Sequence, residues 1–153
     1  MSEHQRYKKI VVPLDGSGWG QRAIPHAVDI ARTNDALLIL LHVFRPPAWE
    51  YTPEITLAGQ EPQIQQAREQ MKQYLIGLRA ELRGEQIQVR THMVEGRGVA
   101  RLVCEYVESE NVDLIVMSTH GRSGLSRLVF GSVANEIMQC AAVPVLLVRP
   151  DKD

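Results

Sequence analysis

Short apolar runs alternate with stretches of helical periodicity along the sequence, and this alternation restricts the fold more than any other feature. Five runs are predicted strands: residues 9–14, 37–44, 87–94, 113–118 and 143–148. Between them, apolar residues recur every three or four positions in four predicted helices: residues 18–32, 62–83, 97–109 and 132–140. Strands that alternate with helices form right-handed βαβ units, so the sequence predicts a parallel sheet covered by helices on both faces.

The side-chain pattern of each run predicts where its strand lies in the sheet. The first, second and fourth runs are almost continuously apolar, as expected for central strands. The third run alternates apolar and polar side chains, which is typical of a half-exposed edge strand. The fifth run is again apolar, so at the opposite edge it would leave an apolar rim that needs cover, which a second subunit could supply.

Two features interrupt this regular pattern. Pro25 falls inside the first helical stretch and predicts a kink there. Residues 45–61 have no periodicity and contain several prolines or glycines, which predicts one long loop. A loop of this length in a compact domain is a lid, a partner surface or a disordered segment.

Length and composition exclude several classes of protein. The 153 residues suit one domain, from residue 1 to 153, and 44% hydrophobic with 23% charged residues is ordinary for a soluble globular chain. With a net charge of −1 and no basic face, the sequence predicts no nucleic-acid partner. Its longest apolar runs are under ten residues, too short to cross a membrane. The N-terminus lacks the apolar centre of a signal peptide, so we expect a cytoplasmic protein.

The sequence contains two cysteines, Cys104 and Cys140, without a CxxC spacing. Each lies in a predicted helix among apolar neighbours. We therefore expect both to be small buried hydrophobic side chains.

A glycine-rich segment follows the fourth strand, at the end of the sheet where open parallel sheets bind ligands. Residues 118–132 read STHGRSGLSRLVFGS. Gly121 and Gly124 permit positive φ and a close approach of backbone N–H groups to an anion. Ser132 is a suitable N-cap for the last helix, whose N-terminus carries roughly half a positive charge. The segment predicts a phosphate site made of backbone N–H groups, with a ligand-free capped connection as the alternative.

Side chains near this segment extend the hypothesis. Arg122 adds positive charge, and His120 lies where it can approach the phosphates. Asp15, at the end of the first strand, would repel phosphate and is better suited to bind ribose hydroxyls or Mg²⁺. The sequence has no GxxxxGK[ST] motif, and Gln21 stands where a GxGxxG fingerprint needs its third glycine. The pattern therefore predicts a nucleotide bound without a P-loop lysine.

The spacing Ser118-x2-Gly121-x9-Gly131-Ser132, followed by AVPVLLVR, resembles the signature of the universal stress protein family. The opening KIVVPLDGS and the LLHV of the second strand resemble the same family, and the similarity runs from about Lys8 to Pro150. The ATP-binding branch of that family has the motif G-x2-G-x9-G-[ST]. Here Ser118 replaces the first glycine, which either narrows the site or adds a hydroxyl contact.

The resemblance implies a fold and an assembly. It implies an α/β three-layer sandwich, a Rossmann-like fold similar to that of the adenine nucleotide α-hydrolases. The five-stranded parallel sheet would have the order 3-2-1-4-5, with four helices. It also implies a homodimer that meets through the last strand, from Val143 to Val148.

The resemblance also implies roles for individual residues. Pro13, Leu14 and Asp15 would face the ribose and base, and Val43 would meet adenine through its backbone. Met117 and Ser118 would flank the ribose. The phosphates would lie against Gly121, Gly131, Ser132 and Val133. His42, within the apolar second strand, is instead expected to be a hydrogen-bonded core residue.

The leading hypothesis is thus a cytoplasmic homodimeric stress protein that binds ATP, ADP or AMP, with Asp15 as a candidate Mg²⁺ ligand. A non-nucleotide-binding dimeric interaction module of the same fold is one alternative, favoured by Ser118. A slow ATP hydrolase is another, and a nucleotidyl transferase on a similar sheet is a third.

Overall fold

The computed structural model describes residues 6–46, 61–119 and 131–149. These ranges contain five strands: β1 (Lys9–Leu14), β2 (Leu37–Phe44), β3 (Gln88–Glu95), β4 (Leu114–Ser118) and β5 (Val145–Val148). They also contain five α-helices: α1 (Gly18–Gln21), α2 (Ala23–Asn34), α3 (Glu61–Glu81), α4 (Val99–Ser109) and α5 (Ser132–Cys140). A short 3-10 turn, Arg83–Glu85, follows α3.

The strands form one parallel sheet in the order β3-β2-β1-β4-β5, as predicted. The order reverses between β1 and β4, so the chain crosses to opposite sides of the sheet at that point. Their carboxyl ends therefore leave a crevice, which is where ligands bind in open α/β sheets.

Alternate side chains of each central strand pack on opposite faces of the sheet, because successive residues of a strand point in opposite directions. Ile10 and Val12 belong to a core cluster shared with α2 and α3. Val11, between them, belongs to a second cluster shared with α4 and α5. The result is three layers, two pairs of helices with the sheet between them, which confirms the predicted fold class.

The two edges of the sheet differ as the sequence predicted. Along β3, exposed and partly buried residues alternate. On β5 at the other edge, Leu146 is an apolar side chain that is 38% exposed. Among the residues that the structure describes, no helix is both long and apolar enough to cross a membrane.

The first helical stretch differs from its prediction. The sequence predicted one helix kinked at Pro25, whereas the structure has α1 and α2 separated at Arg22. Proline cannot donate to the carbonyl four residues earlier, and its ring clashes with that carbonyl. The helix therefore breaks one turn before Pro25, which then lies in the first turn of α2 where a missing N–H costs nothing.

Two other boundaries bear on later arguments. β5 begins at Val145 rather than at residue 143, because Pro144 has no N–H to donate to the sheet. Of the predicted loop 45–61, residues 45 and 46 are irregular and Glu61 already begins α3. Residues 47–60 lie outside the described residues.

The expectation for the cysteines was wrong. Cys104 in α4 and Cys140 at the end of α5 form a disulfide, with their Cα atoms 6.2 Å apart. Cys104 is buried, whereas Cys140 is exposed. The pairing could not be seen in the sequence because 36 residues separate the two, and only the packing of α4 on α5 brings them together.

Candidate functional site

A cavity of about 630 Å³ opens at the carboxyl ends of β1, β2 and β4. The N-terminal ends of α4 and α5 and one face of α3 form its other sides. Small-molecule sites occupy roughly 300–1,000 Å³ and form where the strand order of an open sheet reverses. The position and the volume both suit a nucleotide-sized ligand.

Most residues singled out in the sequence surround this one cavity. Those that line it are Pro13, Leu14, Asp15, Val43, Met117, Ser118, Gly131, Ser132 and Val133. They come from the ends of three strands and the start of one helix, which are far apart in the sequence. The other three predicted residues, His120, Gly121 and Arg122, lie outside the described residues.

The turn after β1 fixes the direction of the Asp15 carboxylate. Asp15 Oδ1 accepts hydrogen bonds from the Ser17 backbone N–H at 2.9 Å and from the Ser17 hydroxyl at 2.6 Å. Gly16 between them has a φ of 88°, a conformation that glycine adopts without strain. The Gly20 N–H donates to Ser17 Oγ at 3.3 Å, so the turn continues into α1. Asp15 is thus held at the cavity wall by its own turn.

The end of β4 and the start of α5 are joined directly. The N–H of Gly131 donates to the Thr119 carbonyl oxygen at 2.9 Å, and the Thr119 N–H donates to the Val148 carbonyl at 3.0 Å. Both ends of the segment 120–130, which itself lies outside the described residues, therefore meet at the cavity.

The start of α5 presents backbone donors to the cavity. The first hydrogen bond of this helix runs from the Asn135 N–H to the Gly131 carbonyl, so the N–H groups of Ser132, Val133 and Ala134 have no acceptor within the helix. The predicted cap is displaced by one residue, because Gly131 is the N-cap and Ser132 is the first residue of the helix. The N-cap residue makes no side-chain cap hydrogen bond. Unpaired N–H groups at the positive end of a helix dipole are suited to bind an anion.

His42 is a hydrogen-bonded core residue, as predicted, and it also lines the cavity. It is 6% exposed, and its Nδ1 lies 2.7 Å from the carbonyl oxygen of Leu14. A carbonyl oxygen only accepts, so Nδ1 carries the proton. The bond ties β2 to the last residue of β1, directly before Asp15.

Ser118 lines the cavity without closing it. It is the last residue of β4, pairs with Val148 in the sheet and is 7% exposed. The cavity of about 630 Å³ remains open beside it. A serine in place of the first motif glycine is thus compatible with a nucleotide-sized space.

One wall of the cavity comes from residues that the sequence analysis did not single out. Ala67, Gln70, Met71 and Tyr74 of α3 face the cavity. Their spacing of three and four continues the apolar stripe that the sequence assigned to the core. The buried members of that stripe lie towards its two ends: Ile64 near the start of α3, and Leu75 and Leu78 near its end. The apolar periodicity of α3 was visible in the sequence, but it could not distinguish residues that line a cavity from residues that pack in the core.

Tyr74 is the polar member of this wall. Its hydroxyl accepts a hydrogen bond from Gln21 Nε2 at 2.8 Å. Burial raises the pKa of the Tyr74 phenol, the bond from Gln21 lowers it, and the charge of Asp15 raises it. The phenol therefore keeps its proton at neutral pH, and its O–H group is able to donate a hydrogen bond to a ligand.

The cavity has little side-chain charge. Among the described residues that line it, Asp15 and Arg45 carry charge. In the described ranges no three histidine, cysteine, aspartate or glutamate residues come together as a metal site. In the described part of the cavity, the groups suited to an anionic ligand are thus the Arg45 guanidinium and the backbone N–H groups at the positive end of α5.

Known proteins resemble this chain in sequence and in fold. The model of the universal stress protein family matches residues 6–149. Universal stress protein MJ0531 of Methanocaldococcus jannaschii is 34% identical over 155 residues, which cover 95% of this chain and 84% of the relative. Among solved structures, MJ0577 of the same organism superimposes with a TM-score of 0.76 at 26% identity, covering 97% of this chain and all of the other.

Several solved structures of similar fold were determined with a nucleotide. One universal stress protein is in complex with cAMP, at a TM-score of 0.69 and 22% identity, with 96% of this chain covered. One from Arabidopsis thaliana has AMP bound, at a TM-score of 0.64 and 18% identity, covering 95% of this chain and 94% of that one. At these identities the likeness concerns the fold. The family match over nearly the whole chain and the close relative in M. jannaschii show that this chain belongs to the universal stress protein family.

Proposed function

We propose that this chain binds ATP in the cavity at the carboxyl ends of β1, β2 and β4, and acts as a nucleotide-responsive stress protein. The observation that carries the proposal is the junction of Thr119 and Gly131, which directs the start of α5 into a nucleotide-sized cavity. Structures of the same fold with cAMP and AMP support it.

In the proposed complex the triphosphate lies against the N-terminus of α5. The N–H groups of Ser132, Val133 and Ala134 supply donors, and the helix dipole adds roughly half a positive charge. Gly121 and Arg122, together with His120, complete the phosphate side.

The ribose and base lie toward β1 and β2. Asp15 faces the ribose hydroxyls, with Pro13 and Leu14 beside it, because a carboxylate there would repel phosphate. Val43 at the end of β2 meets adenine through its backbone. Met117 and Ser118 flank the sugar from β4. All six residues line the cavity, and the Leu14 backbone is held by His42.

Magnesium enters this proposal only with the triphosphate. Mg²⁺ is usually held by one or two carboxylates together with phosphate oxygens and water. Asp15 is the carboxylate available at the described cavity wall, and its Oδ1 is already engaged with Ser17. The residues therefore suit a metal brought by the nucleotide rather than a resident ion.

We further propose that two copies meet through β5. This strand lies at the edge of the sheet, and the exposed Leu146 lies between Val145 and Leu147, which are partly buried. A second copy of β5 would cover this apolar edge, with the same residues contributed by both subunits.

The direct test is to purify the full chain, release any bound nucleotide with acid and identify it by chromatography. Calorimetric titration with ATP, ADP and AMP, with and without Mg²⁺, then gives affinities. We expect ATP to bind with one site per chain, and any hydrolysis is read from the same mixtures. No bound nucleotide and no heat with any of the three would reject the proposal and favour the interaction-module alternative.

A further inference from the structure

We infer that Cys104 and Cys140 form a reversible thiol–disulfide site that controls how rigidly α5 is held, and through α5 the affinity of the cavity for nucleotide. The second half of this inference rests on the proposed function. The first half concerns the protein alone and is tested without a ligand.

The disulfide joins the two helices that flank the cavity on one face of the sheet. Cys104 follows Val103, which lines the cavity from α4. Cys140 ends the helix whose first residues, Ser132 and Val133, line the cavity from α5. The bond therefore fixes the far end of α5 to the neighbouring helix while its near end faces the ligand.

The fold does not require this bond. Val103, Ala134 and Ile137 are buried in the same cluster and pack α4 against α5 without it. A chain of 153 residues also buries enough apolar surface to fold without covalent links, which smaller domains need. The reduced protein should thus keep its fold, so that oxidation and reduction connect two folded states.

α5 is the element that reduction should loosen. The helix has nine residues, of which Ala134 and Ile137 are buried, whereas α2 buries five residues. Helices with few buried apolar contacts open locally at a low free-energy cost. A covalent link at the end of such a helix has a larger effect on its motion than it would on a deeply packed one.

Cys140 is the more accessible residue of the disulfide. Cys140 is an exposed residue, whereas Cys104 is 8% exposed. Both line a surface groove together with Arg101 and the acidic residues Glu105, Glu108 and Glu136. The acidic groove disfavours anionic thiols such as glutathione and favours an uncharged dithiol or a protein dithiol as the reductant.

The reaction is a thiol–disulfide exchange with a dithiol. A thiolate of the reductant attacks Sγ of Cys140, the bond between the two sulfurs breaks, and Cys104 leaves as a thiolate that takes up a proton. The second thiol of the reductant then attacks the mixed disulfide and releases Cys140 as a thiol. Two electrons pass to the protein, and the reductant ends as its own disulfide.

Coupling between two sites is reciprocal, which gives the inference a quantitative form. If the disulfide strengthens ATP binding by some factor, then ATP must favour the disulfide over the dithiol by the same factor. We expect at least about fivefold tighter binding to the oxidised protein, the low end of the range for coupled sites.

The ligand-free test compares hydrogen exchange of oxidised and reduced full chain, with the thiol content verified by alkylation and mass spectrometry. Reduction by dithiothreitol should speed exchange in α5 and leave the central strand β1 unchanged. The Cys104→Ser/Cys140→Ser double variant should behave as the reduced protein with or without reductant. Unchanged exchange in α5, or cysteines that stay as thiols under mild oxidation, would overturn the inference.

The ligand test measures ATP affinity in both redox states by calorimetry, and the oxidised fraction in dithiothreitol buffers with and without saturating ATP. The coupling is supported if the ratio of ATP affinities in the two redox states equals the factor by which ATP shifts the ratio of oxidised to reduced protein. It is overturned if the two redox states bind ATP with the same affinity. If exchange in α5 responds to reduction but neither state binds ATP, the redox site stands and the proposed function fails.

Discussion

The backbone N–H of Gly131 donates to the carbonyl oxygen of Thr119 at 2.9 Å. This bond joins the residue that follows β4 to the N-cap residue of α5. It places the N–H groups of α5 at the cavity although eleven residues separate its two partners in the sequence. A substitution at Gly131 is therefore the most direct test of the proposed phosphate site.

Gly131→Val should weaken ATP binding by about tenfold or more, equivalent to the loss of at least one hydrogen bond to a charged group. The fold should tolerate the change, because the φ of Gly131 is −55° and an added Cβ would lie 3.4 Å from the Thr119 oxygen. Calorimetry gives the affinity, and circular dichroism checks the fold.

Gly77→Val is the matched control for that variant. Gly77 lies in α3, and an added Cβ there meets nothing within 4 Å. We expect ATP affinity close to that of the unaltered chain. Equal affinities for Gly131→Val and Gly77→Val would show that the start of α5 does not bind the phosphates.

Leu146→Asp should convert the proposed dimer to a monomer. A carboxylate at the centre of the apolar edge would have to be buried without a partner when two copies meet. Sedimentation equilibrium measures the mass in solution. The control is Ile76→Asp, since Ile76 is similarly exposed, at 40%, but lies on α3 away from β5. A dimer that survives Leu146→Asp would place the interface elsewhere.

The free energy of unfolding should fall at alkaline pH through Tyr106. Burial raises the pKa of its phenol above the usual value of about 10, Glu110 raises it further, and Arg90 lowers it. Because the folded pKa is the higher one, this stabilisation is present below pH of about 10 and is lost as the pH rises through the folded value.

Phenolate absorbance during an alkaline titration, compared with that of Tyr106→Phe, isolates this group. Glu110→Gln should move its titration to lower pH, and Arg90→Gln should move it to higher pH. Titration of Tyr106 at the value of an unfolded tyrosine would show that the phenol is not buried as the structure describes.

Cys140→Ser should lower the free energy of unfolding of the oxidised protein by up to about 4 kcal/mol, the loop-closure value for a 36-residue separation. Urea denaturation measures the difference. In the presence of a reductant the unaltered chain and the variant should unfold at nearly the same urea concentration, since both then lack the link. A variant as stable as the oxidised parent would mean that the link does not constrain the unfolded chain.

The central and edge positions of the strands followed from local patterns, because the side chains of each strand reflect its own burial, whereas the strand order came from the family resemblance. The alternating β3 and the continuously apolar β1 could be assigned to an edge and to the centre without any knowledge of their neighbours. The start of β5 was misplaced only because the apolar pattern extends through Pro144, which cannot donate to the sheet.

Features that depend on packing between distant elements were not predictable. The pairing of Cys104 with Cys140 is decided by the contact of two helices, and nothing in either local sequence shows it. Likewise, Met71 and Tyr74 continue the apolar stripe of α3 and pack beside core residues, but they also line the cavity, which the helical periodicity alone does not show. The break at Arg22 was also not predicted, because Pro25 shows that the helix is disturbed but does not fix the residue at which it breaks.

The cavity is lined by the ends of three strands, by the first residues of α4 and α5, and by one face of α3. Exchanging Gln70 would therefore alter the cavity wall without replacing any residue of the sheet, whereas Met71 also packs against the cluster of Phe44 and Ile64. In such a molecule, the choice of ligand can be altered by evolution or by design while the architecture stays as it is.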